Sequence, residues 1–447
     1  MDFVPHTADD DREMLEAIGL ESIDGLFDPI PEGVRPDSDL DLPAPLSEPE
    51  LLDHLARLAA RCATGPALTC FAGGGAYDHH LPPVVKALAA RSEFSTSYTP
   101  YQPELSQGVL QALFEFQSLV CEIYGMEVAN ASLYDGASAV VEAVNLAVRS
   151  TKRTRVLVGA TVHPHHRAVL QTYTSGLELD VVTVPFGDDG TCRWSEADLD
   201  NAACVVVAYP NFFGLLEDGR AAARRAHDAG ALAVAVADPT AMGILASPGE
   251  QGFDLAVGEG QSLGNPLSYG GPYVGLFSTK LDLIRQVPGR ISGETTDADG
   301  RRAFVLTLQA REQHIRRAKA TSNVCTNQTL MAIFASVYLS WLGPTGLRRL
   351  GEICLRRSAA AAARISEIPG CSLAFEGPRF KEFVLRTPVP AERLAQGLSR
   401  RGFLAGPALG RWYPDLADCL LVAVTERRSL ADVNALAEAI EKELAEA

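Results

Sequence analysis

The sequence predicts an α/β fold: a large, mostly parallel sheet domain followed by a smaller C-terminal α+β domain. Three observations predict it. From about residue 130, short apolar strands alternate with helical stretches, the pattern of a parallel sheet covered on both faces. The 447 residues are 47% hydrophobic, enough for a sizeable core and more than one domain. A long helical stretch begins near Asn327, runs past Gly343-Pro344 and gives way to mixed strands and helices from Cys371. The expected organisation is an N-terminal helix and extended arm (1–46), a large α/β domain (47–326), and a linking helix with a small domain (327–447).

The elements follow in order. Met1-Asp2-Phe3-Val4-Pro5 lacks a basic stretch followed by an apolar one, so no secretory signal is read there. Asp9 to Ile18 reads as a helix stopped by Gly19. Pro29, Pro31, Pro36, Pro43 and Pro45 stand among acidic residues, an extended arm. Ser47-Glu48-Pro49-Glu50 is a capping box, and Leu51, Leu52, Leu55 and Leu58 form one apolar helix face. Two turn-rich stretches follow, "FAGGGAYDHHLPPVV" and "YTPYQPE". Ser106 to Tyr124 is helical, with Gly125 as its stop. Helices are expected at 136–149, 164–174 and 217–229, and strands at 155–158, 179–186, 204–209, 231–237, 255–257 and 273–277.

Composition excludes several classes. The net charge of −17 repels nucleic acid and anionic membranes. The longest apolar run, Ala231 to Ala237, is far shorter than a membrane helix. Nine scattered cysteines without a Cys-x-x-Cys pair imply reduced thiols and a cytoplasmic protein.

Five stretches could carry chemistry. Tyr134-Asp135-Gly136-Ala137-Ser138 opens a helix, where N–H groups and the Ser138 hydroxyl can face an anion; an ordinary N-cap reads equally well. Asp238 ends a buried strand, where a carboxylate can pair with a protonated ring nitrogen such as that of pyridoxal phosphate (PLP), or simply start an Asp-Pro turn. "VGEGQSLGNPLSYGGP" (257–272) is glycine-rich but holds no lysine, arginine, histidine or cysteine. It fails as a dinucleotide fingerprint on spacing, and Asn265-Pro266 follows where a helix should. His163, His165 and His166 with His79 and His80 invite a metal. No third ligand is spaced to join them, so no metal is expected, and a histidine stacked over a ligand or a surface histidine fits better. Arg311 to Lys319 is a basic run, read as a solvated helix face or as a contact to an anion or partner.

Six stretches together resemble one family: "REMLEAIGLESIDGLF", "YTPYQPELSQGVLQALFEFQSLVCEIYGMEVANASLYDGASAVVEAV", "YPNFFG", "VADPTAMGIL", "GEGQSLGNPLSYGGPYVG" and "RRAFVLTLQAREQHIRRAKATSNVCTNQTLMA". They look like the P-protein of the glycine cleavage system, and more narrowly its alpha subunit, the N-terminal half found as a separate chain in many bacteria. The resemblance runs from near residue 4 past residue 340 and more weakly to the end.

It implies a fold type I, aspartate aminotransferase-like architecture and glycine decarboxylase activity in an assembled alpha2beta2 heterotetramer. There glycine forms an aldimine with PLP, loses its carboxylate and passes its aminomethyl group to the lipoyl arm of H-protein. In this fold the aldimine lysine follows the Asp238 strand and the next short strand, a slot within Gly258 to Gly264. This chain has Gln261, Ser262 and Leu263 there, and none of them supplies an amine. Lys280 should lie at the opposite end of the sheet and Lys319 in the basic run. Lys86, Lys152, Lys381 and Lys442 are expected on surface helices or loops.

The resemblance therefore implies a chain without covalent cofactor, paired with a beta subunit that carries PLP. Tyr98, Tyr101, Gln102 and Glu104 are the candidates to complete the partner's site. Ser138, His163, Asp238, Gln261 and Ser262 are vestigial cofactor-binding candidates, with the Thr321-Ser322-Asn323 run beside them. An independent PLP enzyme using Lys280 or Lys319, and a purely structural subunit, stand as alternatives.

Overall fold

The computed structural model describes residues 5–36, 38, 40–62, 68–95 and 98–446. The signal reading at Met1 to Val4 lies outside them. Two compact units divide the chain at residue 63.

In the first unit, α1 (Ala8–Ile18) starts at a Thr7/Asp10 capping box and ends where Gly19 turns left-handed at φ 75°. Helix α2 (Glu48–Ala59) starts at the anticipated Ser47/Glu50 box. None of the described residues from 5 to 62 is buried. Leu51, Leu52, Leu55 and Leu58 keep their apolar face exposed.

The second unit opens with β1 (Thr69–Ala72), α3 (Pro83–Ala89), α4 (Ser92–Ser95) and α5 (Gln107–Tyr124), the last stopped by left-handed Gly125. Then come β2 (Val128–Ala129), α6 (Gly136–Thr151), β3 (Arg155–Gly159), α7 (Pro164–Thr174), β4 (Asp180–Val184) and β5 (Ala202–Tyr209). After α8 (Gly219–Asp228) follow β6 (Leu232–Ala237), α9 (Pro248–Gln251), β7 (Leu255–Glu259) and β8 (Gly275–Thr279).

These strands form one seven-stranded sheet in the order β2-β8-β7-β6-β5-β3-β4. Neighbours from β7 to β4 run parallel, while β8 is antiparallel to β7 and β2. Alternate residues point to opposite faces. Val205, Val207, Ala233 and Ala235 face one core, shared with α5 and α8. Cys204, Val206, Ala208 and Val234 face the other, shared with α6.

A β9/β10 hairpin (Ile291–Thr296, Arg302–Thr307) follows the sheet. No strand is read there from the sequence, although Asp299-Gly300 at its tip is a hairpin signal. The basic run then breaks into short turns around α10 (Gln313–Arg316). Arg311 is buried and donates to the carbonyls of Val287 and Gly289, while residues 313–319 are exposed.

Helix α11 (Thr329–Ser366) is kinked at Gly343, φ 63° and ψ 176°. It is the one helix among the described residues long and apolar enough to cross a membrane. Its first half packs Met331, Ala332, Ala335, Tyr338 and Leu339 into the sheet's core. The C-terminal part holds β11 (Ser372–Leu373), β12 (Glu382–Arg386), α12 (Ala391–Arg400), β13 (Phe403–Gly406), β14 (Cys419–Ala423) and α13 (Leu430–Ala445). β11, β12 and β14 make an antiparallel sheet, and β13 pairs in parallel with β1. Phe71, Phe383, Leu385, Leu420 and Val422 join α12 and α13 in a separate core.

Candidate functional site

A cavity of about 80 Å³ lies at the carboxyl ends of β5, β6 and β7, lined by Tyr77, His163, Asp238, Glu259, Ser262 and Glu382 among others. Ligands of open α/β sheets bind at such strand ends. The chain therefore keeps the place of a site, and its chemistry depends on which groups occupy that place.

Asp238 stands just past β6, as the sequence predicts. Its carboxylate meets the Lys381 ammonium at 2.6 Å, with Lys381 only 1% exposed. This corrects the expectation of a surface Lys381. The lysine precedes β12, and its backbone turns inward at φ 40°. The ammonium also reaches Thr240 Oγ1 at 3.2 Å and lies 3.5 Å from the centre of the Tyr77 ring, a cation–π contact in a dry setting. Burial works to raise the Asp238 carboxyl, but the charge and hydrogen bond of Lys381, with Thr240, hold it below the usual value. Beside it, burial pushes the Glu382 carboxyl up to about 7. Glu382 accepts from the Gly74 N–H at 2.7 Å and the Tyr77 hydroxyl at 2.8 Å.

The helix N-terminus read as an anion site is filled from within. Asp135 is the N-cap of α6 and accepts from the Ser138 N–H at 2.7 Å. The Ser138 hydroxyl is bound back to Asp135. Ser138 therefore belongs to a capping box and faces a separate hollow with Tyr134, Tyr173 and Asn323. The group that takes the helix's first N–H is Glu259, which accepts from Gly136 at 2.9 Å. It also accepts from the N–H of Gln261 at 3.0 Å and of Val274 at 3.3 Å. A Cβ on Gly136 would lie 3.0 Å from Glu259, so only glycine admits this approach. Burial pushes the Glu259 carboxyl up to about 8, against those N–H donors.

The three residues at the lysine slot divide. Gln261 is 2% exposed and spends its amide on the chain, accepting from the Tyr77 N–H and donating to the carbonyls of Tyr77 and Asn265. Leu263 is fully buried in the core. Ser262 alone lines the cavity.

His163, His165 and His166 form one cluster of rings, and His79 stands in another with one addition. His163 Nε2 donates to the Gly74 carbonyl at 2.6 Å while its Nδ1 accepts from the His165 N–H at 3.0 Å. Burial lowers it to about 4, so it lines the cavity as a neutral ring stacked on His166. His79 does gain neighbours that the spacing hid: Glu426 Oε2 lies 2.6 Å from its Nδ1, and Cys354 lies within 4.8 Å of both. Burial holds the Cys354 thiol up at about 12, a protonated and poor metal ligand. The Lys381 ammonium, 3.4 Å from His79 Nε2, adds a repelling positive charge. Burial opposes ionisation of Glu426, yet His79 and the His80 N–H hold its carboxyl down at about 2.

The structure keeps the four partner-site candidates apart from this cavity. Tyr98 and Tyr101 are 75% and 54% exposed, and Gln102 and Glu104 are also exposed. Tyr101 is fixed from below, where the Arg290 guanidinium donates to its hydroxyl at 2.8 Å and lies 5.0 Å from the ring centre. Lys280 pairs with Asp254 at 2.5 Å, before β7, which puts it at the opposite end of the sheet. Lys86, Lys152, Lys319 and Lys442 are exposed.

Sequence reasoning missed Lys381, Glu259, Glu382 and Tyr77. One signal was available: Lys381-Glu382 directly precedes the apolar Phe383-Val384-Leu385, an unusual start for a buried strand in a chain with six lysines. Nothing in the local sequence points to Glu259.

A mostly parallel sheet with one antiparallel strand, and a site at its carboxyl edge joined by residues of the C-terminal β12 segment, define the fold type I class. Two distant structures share that fold. They are sphingosine-1-phosphate lyase of Burkholderia pseudomallei (14% identical, TM-score 0.66, covering 92% of this chain and 93% of that one) and glutamate decarboxylase of Lactobacillus brevis (12%, 0.68, 92% and 96%). The model of the glycine cleavage system P-protein family matches residues 1–440, and the chain belongs to that family. It is 48% identical to the probable glycine dehydrogenase (decarboxylating) subunit 1 of Desulforamulus reducens over 98% of each chain. Its likeness to that of Moorella thermoacetica is also 48%, over 98% of this chain and 99% of the relative. The crystal structure of a glycine decarboxylase (P-protein) in inhibitor-bound form is 46% identical, with a TM-score of 0.92, covering 99% of this chain and 100% of that one.

Proposed function

We propose that this chain is the alpha subunit of a glycine decarboxylase and carries no cofactor of its own. Its partner, a beta subunit related in fold, supplies PLP. Together they form an alpha2beta2 heterotetramer that decarboxylates glycine and passes the aminomethyl group to lipoylated H-protein. The observation that carries this reading is the slot at Gln261, Ser262 and Leu263. It offers the cavity only the Ser262 hydroxyl, and a hydroxyl cannot form an aldimine.

Within the assembly, Tyr98, Tyr101, Gln102 and Glu104 complete the partner's site. Their exposure and the anchoring of Tyr101 by Arg290 support the assignment. The exposed leucines of α2, with Ile23, Leu26, Phe27 and Leu46 before them, offer an apolar surface within the described residues 5–62, which the partner subunit covers. All nine cysteines are free, in keeping with a cytoplasmic enzyme.

Co-purification with the partner chain tests the reading, with glycine–bicarbonate exchange measured for each chain alone and for both together. Exchange should require both chains, and the visible aldimine band should travel with the partner. Exchange by this chain alone, with its own borohydride-sensitive band, would refute it.

A further inference from the structure

The fold implies a PLP site, and the residues present do not fit that group. We infer that this chain fills its own cofactor site, with Lys381 and Glu259 taking the two contacts that a phosphorylated pyridinium ring would need. The inference deepens the cofactor-free reading above and rests on it.

A pyridoxal phosphate in this class of site requires two anchors besides an amine. One is a carboxylate for the protonated ring nitrogen, and the other is a set of N–H donors at a helix start for the phosphate. Both survive here as geometry, and both are already engaged. The carboxylate is Asp238, and the cation against it is the Lys381 ammonium at 2.6 Å. The ammonium is enclosed: Thr240 Oγ1 and the Tyr77 ring hold its other sides, and Lys381 is 1% exposed. Lys381 cannot serve as the missing aldimine-forming amine from this position. Its side chain does not line the cavity, and its nitrogen is engaged by the Asp238 carboxylate.

At the other anchor, the α6 N-terminus gives its Gly136 N–H to Glu259, and the Gln261 and Val274 N–H groups converge on the same carboxyl. Asp135 takes the Ser138 N–H. A phosphate entering here would meet two carboxyl groups in place of free donors. The space agrees: about 80 Å³ remains, against roughly 300–1,000 Å³ for ligand pockets. Adding an amine at position 262 would therefore not restore a cofactor site, because both anchors are taken.

The test uses the full-length chain, equilibrium dialysis, and two probes, inorganic phosphate and pyridoxal 5'-phosphate. The wild type should bind neither at millimolar concentration. Glu259→Ala frees three N–H donors and should bind phosphate at least about tenfold more tightly. Glu259→Ala with Lys381→Ala should bind pyridoxal phosphate at least about tenfold more tightly than wild type, and borohydride should not fix it in the cavity. Circular dichroism verifies folding, and if the double variant fails to fold, Glu259→Ala with phosphate decides. Folded variants no better than wild type would overturn the filling while leaving the cofactor-free reading intact. A wild-type chain isolated with a reducible aldimine would overturn the cofactor-free reading itself.

Discussion

Replacing Lys381 by methionine keeps the bulk of the side chain and removes its charge. The loss can be worked from the structure. Lys381 is 1% exposed and its partner Asp238 is 15% exposed at the side chain. Breaking such a buried pair from one side costs about 3–5 kcal/mol, because the remaining charge is left uncompensated. The partial exposure of Asp238 favours the lower end. A chain of this length has an unfolding entropy near 0.9 kcal/mol/K at about 2.1 cal/mol/K per residue, so the melting temperature should fall by about 3–5 °C. Lys381→Met with Asp238→Asn should recover most of that loss, since an uncharged buried pair leaves no orphan ion. Acid should also relieve the single variant. Without the lysine, burial raises the Asp238 carboxyl, and a protonated acid needs no counter-charge. Scanning fluorimetry of the wild type and the two variants at pH 5 and pH 8 reads all of this. A single variant melting within about 1 °C of wild type at pH 8, or a double variant no better than the single, would refute the argument.

Four further outcomes follow from the same geometry. The folded Glu259 carboxyl lies near 8, above its ordinary 4.5, so its stabilising contribution is present below about 4.5 and lost as pH rises through about 8. At about 1.4 kcal/mol per pKa unit, Glu259→Gln should flatten the alkaline loss of stability by a few kcal/mol, and an unchanged melting profile from pH 5 to 9 would count against the assignment. Gln261→Ala deletes three hydrogen bonds that tie the loop to Tyr77 and Asn265. It should cost about 1–3 kcal/mol in a denaturant melt, mainly from the Tyr77 groups left unpaired. Tyr101→Phe removes the hydroxyl held by Arg290; assembly with the partner should persist while glycine turnover falls about tenfold or more, and normal turnover would exclude Tyr101 from the shared site. Leu52→Glu with Leu55→Glu places charge on the apolar face of α2, so partner binding measured by gel filtration should weaken strongly, whereas unchanged binding would free the arm of that role.

Much of the fold was legible because its signals are local. Helix ends at Gly19 and Gly125 are set by residues that can turn left-handed. The Ser47/Glu50 box is written in four adjacent residues. The apolar strands at 202–209 and 232–237 need no partner to be recognised. The position of Asp238 and the lack of an amine after β7 were legible for the same reason. What the sequence hid depends on contacts between distant segments. Lys381 reaches Asp238 across a sequence separation of 143 that no periodicity encodes, and Glu259 meets Gly136 only because β7 ends beneath α6. Ser138 was ambiguous for another reason: the same residue type suits an anion site or a capping box, and only the side-chain geometry of the Asp135/Ser138 exchange decides.

The contacts around Lys381 also bear on motion. Lys381 and Glu382 enter β12 of the small sheet, where Lys381 holds Asp238 and Thr240 just past β6 of the large sheet and Glu382 holds Gly74 and Tyr77 of the segment after β1. Glu426, just past β14, binds His79 and the His80 N–H in the same way. Swinging the small sheet away from the end of β6 would have to part the buried Lys381–Asp238 pair, so that one contact ties the edge of the small sheet to the strand end that carries Asp238.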